Sequence, residues 1–464
     1  MRRLVSTAHM VKPDLRRGEI TPTREAYKTS LGIAMPAVVE MVSLALMDII
    51  SMIMVGRLGD FAISSVALTA QPRMIFFSVF FALNVSVTAI IARAKGAGEE
   101  EKARSCLRHA LLLIIILGTL MTVLAVFFAR PMMLLAGAQS DTIGPAASYF
   151  RIAGYGLIFQ VATGTICAAQ RATGNTKITL KVSVTAKIVQ VLFNFLLIEG
   201  RFGFPALGID GAAVSIVIVG VVGFCLAFTS ILQKDSFLRL RRTDNWKPDP
   251  EMARTIGRLS LGSTIEQVGL RIGFFLYARV VADLGTLQFA AHSIAMQLLN
   301  LSFTFADGIG AATTSLVGQN LGKKRPDLSI MYGKLGMRLA FAAAAFLSVT
   351  AFIIRYWFTG LFTDDPYVLE LTLGLFLLII VILPIQTTQV VMGGSLRGAG
   401  DVRYVAMTMF VTVGVLRPLT GFVLAYPLGL GLMGAWIAII IDQAVRLCLL
   451  FFRFSGGKWI RAKL

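Results

Sequence analysis

The chain of 464 residues is 56% hydrophobic and 15% charged, with a mean hydropathy of +0.76 and a formal net charge of +19. Soluble domains are about one-quarter charged, so this composition excludes a soluble protein. The basic residues lie in short loops between apolar segments, which excludes the nucleic-acid partner that the net charge alone would allow.

Twelve apolar segments follow one another along the chain, and each is long enough to cross a bilayer as an α-helix. The segments are unbroken runs, whereas a membrane β-barrel would show short segments of alternating polarity. We therefore predict an all-α integral membrane protein. Its transmembrane helices cover, in chain order, residues 31–54, 70–92, 110–129, 146–169, 182–199, 211–232, 259–282, 288–316, 339–360, 369–392, 404–425 and 432–452.

Lys and Arg are concentrated in alternate loops. With the N-terminus in the cytoplasm, seven lie in residues 1–29 and seven in residues 234–258, whereas the outward loops hold only single arginines. The positive-inside rule therefore places both termini in the cytoplasm, in a multi-pass protein of the inner or plasma membrane. Anionic membrane lipid is the expected partner of the basic loops.

The second half of the chain repeats the first at an offset of 226 residues, which places Glu40 on Glu266 and Gln71 on Gln297. Each repeat has six helices, an even number, so the halves are parallel repeats. This arrangement is typical of transporters that rock one half against the other. The predicted domains are a cytoplasmic N-terminal segment (1–30), an N-lobe (31–233), a cytoplasmic linker (234–258), a C-lobe (259–453) and a cytoplasmic C-terminal tail (454–464).

Several short motifs occur along the chain in a fixed order, beginning with Met47-Asp48 and Val55-Gly56-Arg57-Leu58-Gly59. The later motifs are Ala168-Ala169-Gln170-Arg171-Ala172-Thr173-Gly174-Asn175, Phe204-Pro205-Ala206-Leu207-Gly208, Val317-Gly318-Gln319-Asn320-Leu321-Gly322 and Leu396-Arg397-Gly398-Ala399-Gly400-Asp401. In this order they resemble the bacterial type of the multidrug and toxic compound extrusion (MATE) family, over nearly the whole chain.

The resemblance implies a V-shaped pair of six-helix lobes around a central cavity. It also implies efflux of drugs, toxic organic compounds or metabolites, in antiport with inward-moving Na⁺ or H⁺, by alternating access of the two lobes. A small amphipathic or cationic substrate, a monomer and no cofactor besides the coupling ion are expected. The sequence contains no Walker A loop, H-E-x-x-H helix or G-x-S-x-G elbow, so an enzyme is not expected.

Two other functions remain open. A flippase for a lipid-linked oligosaccharide or cell-wall precursor would be expected to line its cavity with several cationic residues and often to have more than twelve helices. A membrane scaffold without transport is the other alternative. It is disfavoured because the cost of burying the Asp48 carboxylate in the membrane would then serve no function. The antiporter is therefore the preferred interpretation.

Asp48 lies well inside the first predicted helix, where a charged side chain costs at least about 2.5 kcal/mol. An unpaired, buried carboxylate there would bind a proton or a hard cation such as Na⁺, and the alternative is a structural hydrogen bond. The resemblance matches Asp48 to the cation-coupling carboxylate of the family's N-lobe, and Asn194 to an amide of the same network. For Asn194 a hydrogen bond between helices is the open alternative. Gln190 lies one turn before Asn194 on the same face and is grouped with Asp48 and Asn194 as a cation-coupling candidate. Lys187 is interpreted as a snorkelling side chain.

Glu40 and Glu266 are repeat equivalents near the inner ends of their helices. They would either attract cationic substrates toward a cavity or form ion pairs, and both alternatives remain open. Gln297 is grouped with them as a candidate residue of the cavity or of a second cation site.

Asp307 interrupts the eighth predicted helix. It would either pair with an arginine of the second half, which would make it structural, or supply a second cation site. Asp442 and Arg446 have i,i+4 spacing and are predicted to pair with each other. The arginines considered for Asp307 are Arg271, Arg279 and Arg417.

Overall fold

The computed structural model describes residues 6–461, except residues 137–141, 234–235, 242–243, 245, 248 and 364. The described residues form helices joined by short loops, with no β-strand among them. The all-α fold predicted from the sequence is therefore confirmed.

The α-helices are numbered here in chain order, and α13 includes a π-helical stretch, Phe410–Leu416. They are α1 (Thr23–Gly56), α2 (Asp60–Ala97), α3 (Glu100–Phe127), α4 (Ala129–Leu135), α5 (Ile143–Tyr155), α6 (Leu157–Ala172), α7 (Thr176–Leu197), α8 (Gly208–Leu232), α9 (Pro250–Ala282), α10 (Thr286–Gly322), α11 (Pro326–Gly360), α12 (Pro366–Gly398), α13 (Val402–Ala425) and α14 (Gly431–Ser455).

Most of these helices are suited to crossing a membrane. Among the described residues, nine are each long and apolar enough to do so, and α5 with α6 would form a tenth span as a bent pair. The helices α9 and α10 are less apolar, but they contain 33 and 37 residues. At 1.5 Å per residue each is at least about 50 Å long. With these two included, the helical segments correspond in order to the twelve predicted spans.

The segment predicted as one helix over residues 146–169 is bent by 51° between α5 and α6. Gly156 lies at the bend, and a Cβ atom there would come within 2.9 Å of the Cα atom of Val217 in α8. The helix therefore breaks where it packs against α8 more closely than any side chain allows. The predicted span is present as this bent pair, and the bend itself was not predicted, because hydropathy does not register a bend.

The described chain divides into two compact units, and a boundary between them falls inside α1. Unit N comprises Val39–Lys95 and Glu99–Ser260. Unit C comprises the described residues before 39, Gly96–Gly98 and the described residues from 261 onward. Each unit therefore contains most of one sequence repeat.

Each unit has its own apolar core. In unit N, Tyr149 packs with Ile209 and Ile216 of α8. In unit C, the fully buried Phe376 and Trp436 belong to a larger cluster of α9 to α14. These cores hold the helices that carry the polar residues described below.

Gly273 marks a close approach of α9 to α13. A Cβ atom at this position would lie 2.1 Å from the carbonyl oxygen of Val413. We expect Gly273→Ala to force the helices apart and to lower stability by about 1–3 kcal/mol, measured as the thermal unfolding midpoint of the purified protein. Gly257→Ala is the control on the same helix, because its Cβ would meet no atom within 4 Å. Equal midpoints for the two variants would contradict the close approach.

Candidate functional site

Glu40 of α1 is buried in unit N and is tied to two other helices. Its carboxylate accepts hydrogen bonds from Arg171 Nη1 at 3.1 Å, Thr179 Oγ1 at 2.7 Å and Ser183 Oγ at 2.7 Å. Arg171 lies at the end of α6, and the two hydroxyl residues lie one turn apart on α7. Three donors satisfy the buried charge, so Glu40 holds α1 to α6 and α7.

The same ion pair recurs in unit C at the repeat offset. Glu266 of α9 is buried and pairs with Arg397 at the end of α12, and these residues are the equivalents of Glu40 and Arg171. The hydroxyl donors do not recur, because a valine and a methionine stand at their equivalent positions. Each ion pair lies within one unit. The ion-pair alternative therefore describes the geometry of both glutamates, and an action on cationic substrates stays a prediction.

Asp48 of α1 forms an ion pair with Lys187 of α7. The Asp48 side chain is 62% exposed and the Lys187 side chain is 24% exposed. The carboxylate is therefore not unpaired, and the alternative of a structural bond to a neighbouring helix describes its geometry. A role of Asp48 in cation coupling stays a prediction. The flexible four-carbon stem of lysine reaches the carboxylate on the adjacent helix, and the sequence does not show which helices are adjacent.

Arg73 of α2 brings a second cation to this part of unit N. It lies close enough to the hydroxyl of Tyr149 to interact with it electrostatically, as Asp48 also does. Arg73 and Gln160 further line a cavity of about 10 Å³ beside the α5–α6 bend, which has room for one water molecule. Arg73 was not among the predicted site residues, although its position as a basic residue inside the second predicted span was a signal.

Lys187, Gln190 and Asn194 share one stripe of α7 at positions i, i+3 and i+7. Asn194 is buried, and its Oδ1 atom accepts a hydrogen bond from the Ser215 hydroxyl of α8. Gln190 is also buried, and its Oε1 atom has no hydrogen-bond partner among the described residues. The helix-to-helix hydrogen bond considered for Asn194 is thus present. Gln190 leaves an unused oxygen on the stripe that carries Lys187.

Asp307 and Gln297 of α10 are both exposed. Neither side chain forms a hydrogen bond or ion pair with any residue that the structure describes. The expected ion pair between Asp307 and an arginine was therefore wrong, and Arg417 pairs with Asp442 instead. Phe81 is the repeat equivalent of Asp307, so this carboxylate is specific to the second half.

Asp442 of α14 lies between two buried arginines. It accepts hydrogen bonds from Arg417 Nε at 2.8 Å and from Arg446 Nη2 at 2.6 Å, and none of the three side chains is more than 4% exposed. Arg446 also donates to Thr412 Oγ1 at 3.0 Å, within the π-helical stretch of α13. The predicted pairing of Asp442 with Arg446 is confirmed, and the second arginine was not predicted.

Three glutamines continue this buried polar chemistry in unit C. Gln443 Nε2 donates to Gln386 Oε1 at 3.3 Å, and Gln389 Nε2 donates to Gln443 Oε1 at 3.2 Å. Gln386 Nε2 in turn donates to Ser302 Oγ at 2.8 Å. These amides join α12, α14 and α10. In the described part of the chain, no group of three or more His, Cys, Asp or Glu residues is placed to hold a metal ion.

The MatE family model matches the chain twice, at residues 36–196 and 263–423. Together the matches cover more than half of the chain, and their starting points lie close to the 226-residue offset of the internal repeat. The chain belongs to the MatE family. The predicted duplication and the resemblance to bacterial MATE transporters are thereby confirmed.

Relatives of this MatE protein match it over nearly their full length. The probable multidrug resistance protein NorM of Thermotoga maritima is 27% identical over 446 residues, which are 94% of this chain and 93% of that protein. The multidrug resistance protein PmpM of Pseudomonas aeruginosa is 25% identical over 459 residues, with 94% and 93% covered. A solved structure of a multidrug resistance MATE family transporter in an outward-facing conformation matches with a TM-score of 0.86 at 21% identity, over 96% of this chain and 98% of that one. The MATE fold therefore extends over almost the whole chain.

The two halves of this MatE protein differ in their polar chemistry, despite their common fold. Phe274 and Val413 stand at the repeat equivalents of Asp48 and Lys187. The exposed ion pair therefore belongs to the first half alone, and Asp307 belongs to the second half alone.

Proposed function

We propose that this MatE protein exports drugs, toxic organic compounds or metabolites by antiport, with Na⁺ or H⁺ moving inward. Residues 31–233 and 259–453 act as the lobes that alternate access to a small amphipathic or cationic substrate. The protein works as a monomer in the inner or plasma membrane, with both termini in the cytoplasm. Membership of a transporter family and relatives named as multidrug resistance proteins support the proposal.

The exposed ion pair of Asp48 and Lys187 is the observation that carries the coupling mechanism. An ionised carboxylate facing lipid would cost at least about 2.5 kcal/mol, so the exposed side of Asp48 faces water in the membrane-embedded protein. A cation arriving through that water reaches the carboxylate without crossing hydrocarbon.

Lys187 acts as a tethered monovalent cation at this carboxylate. A proton or a sodium ion that neutralises Asp48 removes the attraction that holds the ammonium, so the side chain of Lys187 is released. The site then has two states, one with Lys187 bound and one with the coupling ion bound. A ligand shifts a conformational equilibrium only if it binds the two conformations with different affinities. Here the coupling ion binds Asp48 only when Lys187 is released, so ion binding changes the contact between α1 and α7.

Gln190 and Asn194 contribute neutral oxygens to the same stripe of α7. The Oε1 atom of Gln190 has no partner among the described residues, so it is available to the coupling ion. The Oδ1 atom of Asn194 is already engaged by Ser215, so this residue acts mainly by fixing α7 against α8. Hard cations bind carboxylate and amide oxygens, which suits this set of residues.

Asp307 is proposed as a second cation position, in the second half of the chain. It has no ion-pair partner among the described residues, and it interacts electrostatically with Arg397, the partner of Glu266. A cation bound at Asp307 would therefore change the electrostatic environment of the ion pair between Arg397 and Glu266. In this scheme Glu40 and Glu266 position their helices, and Gln297 on the same helix as Asp307 contributes to the cavity.

The proposal is tested in everted membrane vesicles that contain the full-length protein. A fluorescent cationic dye is added, and a pH gradient and a sodium gradient are imposed separately. Uptake of dye that requires either gradient and disappears when it is dissipated is the expected result. Dye movement that does not depend on either gradient would contradict antiport. Movement of a lipid-linked sugar in vesicles that do not move the dye would instead point to the flippase.

Lys187→Met tests the tethered cation. Without the ammonium, Asp48 should bind the coupling ion more tightly, and the ion concentration that gives half-maximal efflux should fall by at least about tenfold. Lys323→Met, which removes a lysine at an exposed loop position, is the control with the same change of charge. An unchanged ion dependence in Lys187→Met would show that the lysine does not compete for Asp48.

A further inference from the structure

A groove of about 310 Å³ runs between α7 and α8 on the surface of unit N. It lies where α7 begins and α8 ends, next to two basic segments of the sequence. Its walls combine a lysine, hydroxyl groups and an amide with aliphatic side chains. The lining residues are Ile178, Lys181, Val182, Thr185, Leu226, Thr229, Ser230 and Gln233.

The exposed stripe of α7 that borders the groove changes from basic to apolar along the helix. Lys177, Lys181 and Thr185 are exposed at successive turns, and Ile188 and Leu192 follow at 54% and 51% exposure. At 1.5 Å per residue, Lys181 and Ile188 are about 10 Å apart along the helix axis. This is the polarity profile of a surface that passes from lipid headgroups into the hydrocarbon of a bilayer.

The stripe of α8 shows the same gradient, although this helix runs in the opposite direction. Val221 is 38% exposed, and Cys225, Thr229 and Gln233 are exposed at the following turns toward the C-terminal end. Two independent helix faces thus place their polar ends at one level and their apolar ends at another. The groove between them is therefore amphipathic along the direction of the two helices.

The polar end of the groove offers hydrogen-bond donors and positive charge. Lys181 forms no ion pair with a described residue. The side chains of Thr185 and Gln233 form no hydrogen bond with a described residue. By contrast, the hydroxyls of Thr229 and Ser230 donate to the carbonyl groups of their own helix. An ammonium, a hydroxyl and an amide are therefore free to contact an anion.

We propose that this groove binds one anionic glycerophospholipid from the leaflet on the side of the basic loops. Lys181 contacts the phosphate, Thr185 and Gln233 donate to phosphate or glycerol oxygens, and the acyl chains follow the apolar stripes past Ile188 and Val221. Anionic headgroups attract each lysine near a membrane surface, which provides selectivity over zwitterionic lipid. This inference does not depend on the transport activity.

A phospholipid suits the groove better than other occupants. A free phosphate ion would use the lysine but not the apolar walls that continue from it. A second copy of the chain would bring Lys177 and Lys181 against the same two lysines, and like charges repel. The combination of charge at one end and aliphatic surface at the other matches a single lipid.

The test is native mass spectrometry of the full-length protein in neutral detergent, with phosphatidylglycerol and phosphatidylcholine of identical acyl chains. We expect preferential retention of phosphatidylglycerol. Lys181→Gln should reduce that retention by about five- to tenfold, to the level of phosphatidylcholine, whereas Lys181→Arg should keep it. Lys323→Gln, which removes the same charge elsewhere, should have no effect.

Two further arms separate the alternatives. Thr229→Trp fills the groove and should displace phosphatidylglycerol with Lys181 still present. Glycerol phosphate, which carries the headgroup chemistry without acyl chains, should fail to compete at lipid concentrations. Equal retention of both lipids, equal effects of Lys181→Gln and Lys323→Gln, or full competition by glycerol phosphate would each overturn the proposal.

Discussion

Replacing Asp48 with Asn should abolish gradient-driven efflux without preventing membrane insertion. Asparagine keeps the size and part of the hydrogen bonding of aspartate, but it can neither carry charge nor release a proton. The variant therefore removes the attraction to Lys187 and the site of ion exchange together, with little change in packing. The group left without its partner is the Lys187 ammonium, whose side chain is 24% exposed and whose flexible stem can carry it to water.

The measurement is dye efflux in vesicles with imposed pH or sodium gradients, together with binding of the dye to the purified protein. We expect dye binding to persist while efflux falls to the level of protein-free vesicles. Asp283→Asn is a matched control, because Asp283 is exposed and pairs with Arg279 as Asp48 pairs with Lys187. Wild-type efflux in Asp48→Asn would move coupling to another carboxylate, with Asp307 and then Glu266 as the next candidates.

Substitution of Gln190 or Asn194 by Ala should weaken the dependence on the coupling ion less than Asp48→Asn does. A neutral amide oxygen can bind or orient a cation, but it cannot titrate. The Gln190 variant should show the larger shift in ion affinity, because only its oxygen is free of hydrogen bonds. If Gln190→Ala lost efflux completely while Asp48→Asn stayed active, Gln190 and not Asp48 would be the residue essential for coupling.

The sequence was sufficient for the helices but not for the contacts between them. Hydropathy located the membrane spans because the length of an apolar run is a local property. Hydropathy did not predict the bend at Gly156, because the bend depends on a close approach to Val217 of another helix, α8. The same limitation applies to Asp48 and Lys187, which are distant in sequence and meet only because α1 and α7 are neighbours.

The internal repeat predicted more of the candidate site than any single motif did. Both members of the Glu40 and Arg171 pair recur at the same offset, as Glu266 and Arg397, and both pairs form. A shared offset therefore identified the residues, although the pairing itself required the structure. The repeat gave no information on Asp307, because its equivalent position carries an apolar residue.

Asp442→Asn should cause the largest loss of stability among the substitutions considered for unit C. Arg417 and Arg446 both direct their guanidinium groups at this carboxylate, and all three side chains are buried. Removal of one partner from a buried ion pair typically costs about 3–5 kcal/mol, because the remaining charge stays buried without compensation. Here two cations would remain, and they would also repel each other. We expect little folded protein, or a thermal unfolding midpoint far below that of the wild type, by size-exclusion chromatography after heating.

A triple variant separates lost charge balance from lost packing. Replacement of Asp442, Arg417 and Arg446 by Leu, Met and Met removes the whole charged cluster while keeping apolar volume. Since apolar replacement of a complete buried ion cluster is often neutral or stabilising, the triple variant should recover much of the stability that Asp442→Asn loses. If Asp442→Asn unfolds at the wild-type temperature, the arginines must find other anions, and Glu266 is the nearest choice because it already interacts electrostatically with Arg446. A double variant, Asp442→Asn with Glu266→Gln, would then show the loss that the single variant did not.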